Sequence, residues 1–213
     1  MRLRKKHFAI PEMQENPYVY FNGKDYKGKW KEVFGNDNPI YLEIGAGKGK
    51  FTIESALRNQ NINYIMVDLE TNALIYATRK IIECELTNVR AMPINAENIL
   101  EYFEENELDR IYINFCNPWP KVKHQKRRLT YPRLLDKYKF ILKPGSQIFF
   151  KTDDLDLFED SLDYFRLSGF STLISDFDMK QEEYPQNIIT EYENKFRKLG
   201  EKIKFGVFEL CVN

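Results

Sequence analysis

The sequence predicts an α/β protein with a mostly parallel, twisted sheet and helices on both of its faces. After Pro39, short runs rich in β-branched and aromatic residues alternate with longer segments of helical spacing. Strands that alternate with helices indicate βαβ units, in which neighbouring strands run parallel. A chain of 213 residues, 43% of them hydrophobic and 15% aromatic, is long and apolar enough to bury the core of such a fold.

Five strands and four helices are predicted in alternation. The strands are expected at residues 40–44, 64–68, 89–94, 110–115 and 147–151. The helices between them are expected at residues 51–59, 72–86, 97–105 and 131–142. A turn at Lys143-Pro144-Gly145 is expected to stop the fourth helix.

The C-terminal part is predicted to close the same domain. A fifth helix is expected at residues 154–168, strands at 170–175 and 204–211, and a helix at 192–199. We therefore expect one domain over residues 40–213, preceded by a basic and aromatic appendage at residues 1–39.

The net charge is zero, with 32 basic and 32 acidic residues, but the charges are sorted into blocks. Residues 1–31 hold eight Lys and Arg against three acids, and residues 118–143 hold nine against Asp136 alone. Residues 97–109 and 153–163 each hold six acids and no Lys or Arg. We expect a polyanion to be bound on one basic face. The acids of residues 97–109 and most of those of residues 153–163 are then expected on helix surfaces turned elsewhere.

Several classes of protein are disfavoured by composition. The three cysteines form no CxxC pair, their odd number favours a reducing compartment, and each is expected to be buried and inert. The only histidines, His7 and His124, lie far apart, so neither a metal site nor a hydrolase triad is predicted. No apolar run approaches the roughly 18 residues of a membrane helix. A cytoplasmic protein without a membrane partner is expected, as a monomer or a homodimer.

A glycine loop follows the first strand in the sequence Glu43-Ile44-Gly45-Ala46-Gly47-Lys48-Gly49. Glycines between a strand and a helix let a ligand approach the backbone closely. A dinucleotide loop would carry its third glycine at position 50, which is Lys50 here, and no GK[ST] follows for a phosphate-binding loop. The spacing of Gly45, Gly47 and Gly49 is typical of the S-adenosylmethionine loop in Rossmann-like methyltransferases.

Polar residues close the first three strands. Glu43 is placed to meet the ammonium group of this cofactor, Asp68 its ribose hydroxyls and Asn95 its adenine. The carboxyl ends of parallel strands form one crevice, so these residues are expected to converge. The alternative is that Glu43 is merely exposed and the glycines form a plain turn.

The loop after the fourth strand joins a stiff aromatic turn to a basic cluster. Two prolines flank Trp119 in Asn117-Pro118-Trp119-Pro120, and a rigid aromatic ring suits stacking on a base. The cationic side chains that follow, and that would contact phosphates, are Lys121, Lys123, His124, Lys126, Arg127 and Arg128. We therefore expect this loop to contact a nucleic acid.

Three segments together resemble the bacterial tRNA (guanine-N7-)-methyltransferase family, whose members methylate a guanosine in the variable loop of tRNA. They are the glycine loop, the PWPK…H..KRRLT run at residues 118–130, and Thr190-Glu191-Tyr192-Glu193. The resemblance covers residues 40–213 and implies tRNA as partner. It implies cofactor contacts at Glu43, Asp68, Asn95 and Asn117. It implies substrate contacts at Lys121, Asp153, Thr190, Glu191, Tyr192 and Glu193.

One residue departs from the family pattern. The position before Pro118 is usually Asp and often assigned a catalytic role, whereas this chain has Asn117. An amide cannot act as a general base, but guanine N7 already bears a lone pair and need not lose a proton before it attacks a methyl group. We therefore expect Asn117 to position a reactant rather than to deprotonate it.

Purely structural roles are the alternative for the acids at residues 153–154 and 191–193. Asp153 or Asp154 could cap the helix that follows, and Glu191 and Glu193 could be first-turn acids that suit a helix dipole. One rival function is an amino methyltransferase acting on adenine or cytosine, whose loop is Asn or Asp, then Pro-Pro and an aromatic residue; here Trp119 comes one residue early and Pro120 one late. Another is an RNA-binding protein of this fold with impaired catalysis. A cytosine-C5 enzyme would use Cys116 as a nucleophile, and a small-molecule methyltransferase would leave the basic cluster without a use.

Overall fold

The computed structural model describes residues 6–211, and contacts divide the chain into two compact units, Met1–Glu104 and Glu105–Asn213. The cations Arg2, Arg4 and Lys5, which contribute to the basic N-terminal block, lie outside the described residues. No helix within the described range is long and apolar enough to cross a membrane.

The first unit is a parallel sheet with helices. Its strands are β1 (Ile40–Ile44), β2 (Asn63–Val67) and β3 (Val89–Met92), in the order β3-β2-β1. Its helices are α1 (Ala9–Glu15), α2 (Trp30–Phe34), α3 (Lys50–Arg58) and α4 (Thr71–Glu83). Short 3-10 helices cover Gly23–Tyr26 and Ala96–Glu101, so residues 97–105, predicted as a longer helix, form only a short one.

Helical spacing explains the core of the first unit. On α4, Leu74, Ala77 and Ile81 recur every three or four residues and are fully buried. They pack in one cluster with Tyr64 and Met66 of β2. The N-terminal helix α1 joins the same cluster through two further buried residues, Ala9 and Met13. The N-terminal segment is therefore part of the packing of this unit.

One expectation about charge is wrong. The acids of residues 97–109 were expected to face away from the basic N-terminal block, yet Lys24 forms an ion pair with Glu101. Lys27 also donates to the backbone carbonyl of Leu100 over 3.0 Å. The neighbouring Trp30 is fully buried and donates its indole N–H to the carbonyl of Tyr102. The pairing of Lys24 with Glu101 thus neutralises part of the N-terminal block.

The second unit carries a mixed sheet. Its strands are β4 (Leu108–Asn114), β5 (Leu142–Thr152), β6 (Phe170–Asp176) and β7 (Lys204–Leu210), in the order β4-β5-β7-β6. Its helices are α5 (Pro132–Ile141), α6 (Leu155–Leu167) and α7 (Glu191–Lys198), with a 3-10 helix at Val122–Arg127. β4 and β5 are parallel, whereas β7 is antiparallel to both β5 and β6.

The predicted turn at Lys143-Pro144-Gly145 is instead the beginning of β5. Helix α5 does stop just before it, but β5 starts at Leu142 and contains all three residues. The register explains the turn-like composition, because Leu142 lies opposite Leu108 and Gln147 opposite Arg110. Extra residues on β5 therefore form an irregular bulge, where Gly145 adopts a φ of +77°.

The cysteines are less uniform than expected. All three are free thiols, but Cys211 is exposed, so the prediction of three buried cysteines is wrong there. Cys84 and Cys116 are half-buried. Burial raises the pKa of the Cys116 thiol to about 12, which keeps it protonated and poorly nucleophilic at neutral pH.

Candidate active site

The glycine loop after β1 has left-handed backbone at all three glycines. The φ values are +79° at Gly45, +57° at Gly47 and +74° at Gly49. A Cβ added at Gly49 would lie 2.4 Å from the Cβ of Ala77, so this glycine allows α3 to pack closely on α4. A Cβ at Gly47 would meet nothing within 4 Å. The loop therefore leaves open space in front of Gly47, where a ligand can approach the backbone.

Asp68, the residue after β2, contacts this loop directly. Its Oδ2 accepts a hydrogen bond from the amide of Gly47 over 2.7 Å, and its Oδ1 accepts one from the amide of Glu70 over 2.7 Å. Burial raises the pKa of the Asp68 carboxyl, and these backbone hydrogen bonds only partly oppose that effect. Each oxygen keeps acceptor capacity for a further donor such as a ribose hydroxyl.

Glu43 near the end of β1 is held below the surface. It is only 4% exposed, and Oγ1 of Thr52 on α3 donates to its Oε2 over 2.6 Å. The alternative that Glu43 is merely an exposed residue is therefore wrong. Asn95, beyond β3, is exposed and accepts from the amide of Glu97, which caps the short 3-10 helix.

The loop after β4 is held in a strained conformation. Phe115 and Trp119 have φ values of +53° and +44°, which are unfavourable for residues with a side chain. The Oδ1 of Asn117 accepts from the amide of Trp119 over 3.1 Å and closes an Asx turn. Asn117 itself is exposed, and its amide group has capacity left for a reactant.

Arg128 has a different environment from the rest of the basic cluster. Its side chain is 2% exposed, its Nε donates to the carbonyl of Pro118 over 2.7 Å, and its Nη1 pairs with Asp160 on α6. The guanidinium thus links the end of the loop, at Arg128, to its beginning, at Pro118. It therefore has little exposed surface for a contact with a phosphate.

The remaining cations surround the aromatic ring of the loop. The guanidinium of Arg127 lies 5.1 Å from the ring centre of Trp119, and the His124 ring lies 5.8 Å from it. Lys121, Lys123 and Lys126 are exposed, and none of them forms an ion pair with an acid within residues 6–211. This cluster therefore presents positive charge that the described part of the chain does not neutralise.

The two acids that follow β5 have different environments. Asp154 caps α6, because its Oδ1 accepts from the amide of Leu157 over 2.7 Å. Asp153 is half-buried, and burial raises the pKa of its carboxyl. A cavity of about 480 Å³ lies beside Asp153. The residues that line this cavity are Asp153, Asp154, Leu155, Asp156, Phe196, Leu199, Glu201 and Lys204.

Residues 190–193 form the start of α7. Two of their side chains are buried and two are exposed. Thr190 caps the helix by accepting from the amide of Glu193 over 3.0 Å. The carboxylate of Glu193 is fully buried and pairs with Lys151 at the end of β5 over 2.9 Å. Glu191 and Tyr192 are exposed. Sequence reasoning missed Lys151, whose only signal is a lysine at the end of an apolar strand run.

Comparison with solved structures tests the predicted fold. The chain resembles a structure titled "Structure of an Antibiotic Related Methyltransferase" with a TM-score of 0.66 and 23% identity, covering 89% of this chain and 94% of the other. It resembles the 16S rRNA methyltransferase KamB with a TM-score of 0.68 and 13% identity, covering 87% and 94%. These likenesses confirm the predicted Rossmann-like methyltransferase fold.

The sequence comparisons define first the class, which is that of the methyltransferases, and then the family. Residues 37–205 match a family model described as "Putative methyltransferase". The tRNA (guanine-N(7)-)-methyltransferase of Clostridium tetani is 52% identical over 99% of this chain and 100% of its own length. The enzyme of the same name from Clostridium acetobutylicum is also 52% identical, with the same coverage. This chain belongs to the tRNA (guanine-N7-)-methyltransferase family, as the sequence motifs indicated.

Proposed function

We propose that this protein transfers the methyl group of S-adenosylmethionine to N7 of a guanosine in the variable loop of tRNA. The observation that carries the proposal is 52% identity, over essentially the whole of both chains, to enzymes named for this reaction. The glycine loop and the loop after β4 supply the corresponding chemistry in this chain.

The chemistry requires positioning more than proton transfer. The cofactor supplies a methyl group on a positively charged sulfur. The N7 lone pair would form the new N–C bond as the S–C bond breaks, and the positive charge would pass from the sulfur to the guanine ring. No proton is lost in this step, so an amide at Asn117 is compatible with activity. Holding the reactants in line lowers the barrier by up to about 7–11 kcal/mol.

The first unit fits the cofactor. Open space in front of Gly47 leaves room for a ligand against the backbone. Asp68, fixed on the Gly47 amide, would accept the ribose hydroxyls, and the buried carboxylate of Glu43 would attract the ammonium group. Asn95 would bind the adenine.

The second unit fits the RNA. Lys121, Lys123 and Lys126 are exposed around the Trp119 turn and would contact phosphates. His124 and Arg127 lie against Trp119 and would extend the same surface. Asp153, beside its cavity, would accept from the N–H groups of the guanine, and Asn117 would hold a reactant through its amide.

The test is incubation with S-adenosylmethionine labelled in its methyl group and unmodified tRNA, followed by separation of the labelled nucleosides. We expect 7-methylguanosine. Label on an exocyclic amine of adenine or cytosine would support an amino methyltransferase. Binding of tRNA without methyl transfer would support the catalytically impaired RNA-binding protein. Cysteine-dependent methylation of cytosine C5 is disfavoured, because burial raises the pKa of Cys116 to about 12.

We also propose the setting in which the enzyme acts. A tRNA substrate favours the cytoplasm, and the protein would act there as a monomer or a homodimer. Residues 1–39 would be an addition to a methyltransferase domain at residues 40–213, held to it through the packing of α1.

A further inference from the structure

One peptide group in the loop after β4 is held at both of its ends. The carbonyl of Pro118 accepts from Nε of Arg128 over 2.7 Å. The N–H of the same peptide group, which belongs to Trp119, donates to Oδ1 of Asn117 over 3.1 Å. Because a peptide group is planar, its carbonyl and its N–H turn together. The direction of the Asn117 side chain therefore depends on where Arg128 holds the Pro118 carbonyl.

Arg128 is in turn oriented from helix α6. Its Nη1 pairs with the carboxylate of Asp160, and its side chain is 2% exposed, so solvent has little access to the guanidinium. A second contact lies beside the first, where the fully buried hydroxyls of Thr130 and Ser161 share a hydrogen bond of 2.7 Å. Two polar contacts thus fix the C-terminal end of the loop on α6.

The backbone of the loop requires this kind of support. Phe115 and Trp119 adopt φ values of +53° and +44°. Residues with a side chain persist in this region only where the surrounding structure over-determines their conformation. The Pro118 carbonyl belongs to the peptide group that leads into Trp119. The hydrogen bond from Arg128 therefore acts directly on one of the two strained positions.

We infer that Asp160 is a positioning residue for methyl transfer, which orients Asn117 through Arg128 and the Pro118 carbonyl. The inference rests on the proposed function and deepens it. Asp160 lies outside the cofactor and substrate contacts that the family resemblance implies, 32 residues from Arg128 in the chain. Since the proposed reaction requires no proton transfer to the protein, its rate depends on how accurately the reactants are held, and small displacements are costly.

The ion pair of Arg128 and Asp160 has two rival interpretations, and each predicts a different result. If Asp160 only stabilised the fold, its replacement would lower the free energy of unfolding without a specific effect on the loop. If Arg128 left Asp160 to bind a phosphate of the RNA, replacement of Asp160 would change the salt dependence of tRNA binding.

The first experiment compares variants of Asp160 in single-turnover methylation with saturating tRNA and S-adenosylmethionine. Asp160→Asn removes the charge that orients Arg128 and should lower the rate of methyl transfer by about 10- to 100-fold. Asp160→Glu keeps a carboxylate and should retain more of the rate. The matched control is Asp163→Asn on the same helix, where the carboxylate pairs with the exposed Arg166, and it should leave the rate unchanged.

Binding measurements separate positioning from contact with the ligands. The KM for S-adenosylmethionine, the affinity for tRNA and the slope of log affinity against log salt should be the same in Asp160→Asn as in wild type. The loss should appear in the rate of methyl transfer and not in KM. A changed salt slope would show that the ion pair takes part in binding phosphates and would overturn the inference.

A spectroscopic signal reports on the loop itself. The chain has two tryptophans, Trp119 of the loop and Trp30, which is fully buried in the first unit. With fluorotryptophan incorporated, each gives one fluorine NMR resonance, and Trp30→Phe assigns them. In Asp160→Asn the Trp119 resonance should shift or broaden, while that of Trp30 stays in place. An unchanged Trp119 resonance would overturn the inference.

The milder variant covers the case in which Asp160→Asn disturbs the whole fold and moves both resonances. Asp160→Glu should then shift only the Trp119 resonance and lower the rate. If Asp160→Glu is instead indistinguishable from wild type, Asp160 has only a structural role and the inference is overturned.

A double-mutant cycle tests whether Asp160 acts through Asn117. Asp160→Asn should lower the rate in wild type but add little in the Asn117→Ala background, which has no side-chain amide to orient. Additive losses would mean that Asp160 acts by another route and would overturn the inference. A wild-type protein that does not methylate tRNA would instead refute the proposed function, whereas the Trp119 resonance, measured without RNA, would still show whether Asp160 holds the loop.

Discussion

The ammonium group of Lys151 on β5 lies 2.9 Å from the carboxylate of Glu193 on α7, and neither side chain is more than 4% exposed. A buried pair of this kind is costly to break, because removing one partner leaves the other charge buried and uncompensated. The pair joins the end of a central strand to the helix that carries Tyr192. It therefore ties helix α7 to the sheet of the second unit.

Replacement of one partner should destabilise the protein strongly. We expect Glu193→Gln to lower the free energy of unfolding by about 3–5 kcal/mol, measured by urea denaturation. The matched control is the exposed pair of Arg166 and Asp163 on α6, where Asp163→Asn should cost less than about 1 kcal/mol. Equal costs at the two sites would contradict the structural role of the buried pair.

Because of the same ion pair, the free energy of unfolding should depend on pH in the acid range. Burial raises the pKa of Glu193, but Lys151 and the hydrogen bonds from Arg197 and Asn187 outweigh it, so the pKa lies below its ordinary value of 4.5. A lowered pKa means that the stabilisation is present above pH 4.5 and is lost as the pH falls through the folded-state pKa. Unfolding free energies measured from neutral to acid pH should fall less steeply for Glu193→Gln. The same pH dependence of the unfolding free energy in both proteins would contradict this role of the ion pair.

Two glycines of the cofactor loop should respond differently to the same substitution. Gly47→Ala meets only an unfavourable φ and open space, so it should cost about 1–2 kcal/mol of stability and weaken cofactor binding. Gly49→Ala also forces a Cβ to within 2.4 Å of Ala77 and should destabilise the fold more. Thermal melting and calorimetric titration with S-adenosylmethionine measure the two effects. A larger loss of stability at Gly47 than at Gly49 would be inconsistent with this geometry.

Arg128 and Lys123 should differ in salt dependence although both belong to the basic cluster. Lys123→Ala should reduce the salt slope of tRNA binding by about one, because an exposed cation is removed. Arg128→Ala should leave the slope unchanged but lower turnover, since it releases Pro118 and leaves Asp160 unpaired. Filter binding at several salt concentrations gives the slopes. A reduced slope in Arg128→Ala would show that the guanidinium reaches a phosphate.

Asn117 should tolerate the acid that is usual at its position. A carboxylate can still accept from the amide of Trp119, so Asn117→Asp keeps the Asx turn and should change turnover by less than about tenfold. Asn117→Ala loses the turn and should lower turnover more. A gain of many orders of magnitude in Asn117→Asp would show that a base is needed, against the positioning role.

The strands and the glycine loop were predictable because their signals are local. The three glycines of the loop lie close together in sequence, at Gly45, Gly47 and Gly49. Asp68 follows a strand that composition alone identifies. The bulge at the start of β5 was not predictable, because Pro and Gly in sequence indicate a turn whether or not a neighbouring strand accommodates it.

The division of the site residues into contacts and supports could not be predicted. Arg128 looks like its basic neighbours in sequence, but its partner Asp160 is 32 residues away. Glu193 looks like a first-turn acid, but its partner Lys151 is 42 residues away. Such pairings depend on tertiary packing, and a run of charges carries no information about which member is turned inward.

The most direct test of the central claim uses two tRNA transcripts that differ only at the target guanosine of the variable loop. One retains that guanosine and the other carries adenosine in its place, and each is incubated with the protein and S-adenosylmethionine before the methylated position is mapped. The account predicts 7-methylguanosine at that single position in the first transcript and no methylation of the second. Equal methylation of both transcripts, or a methyl group on an exocyclic amine, would contradict it.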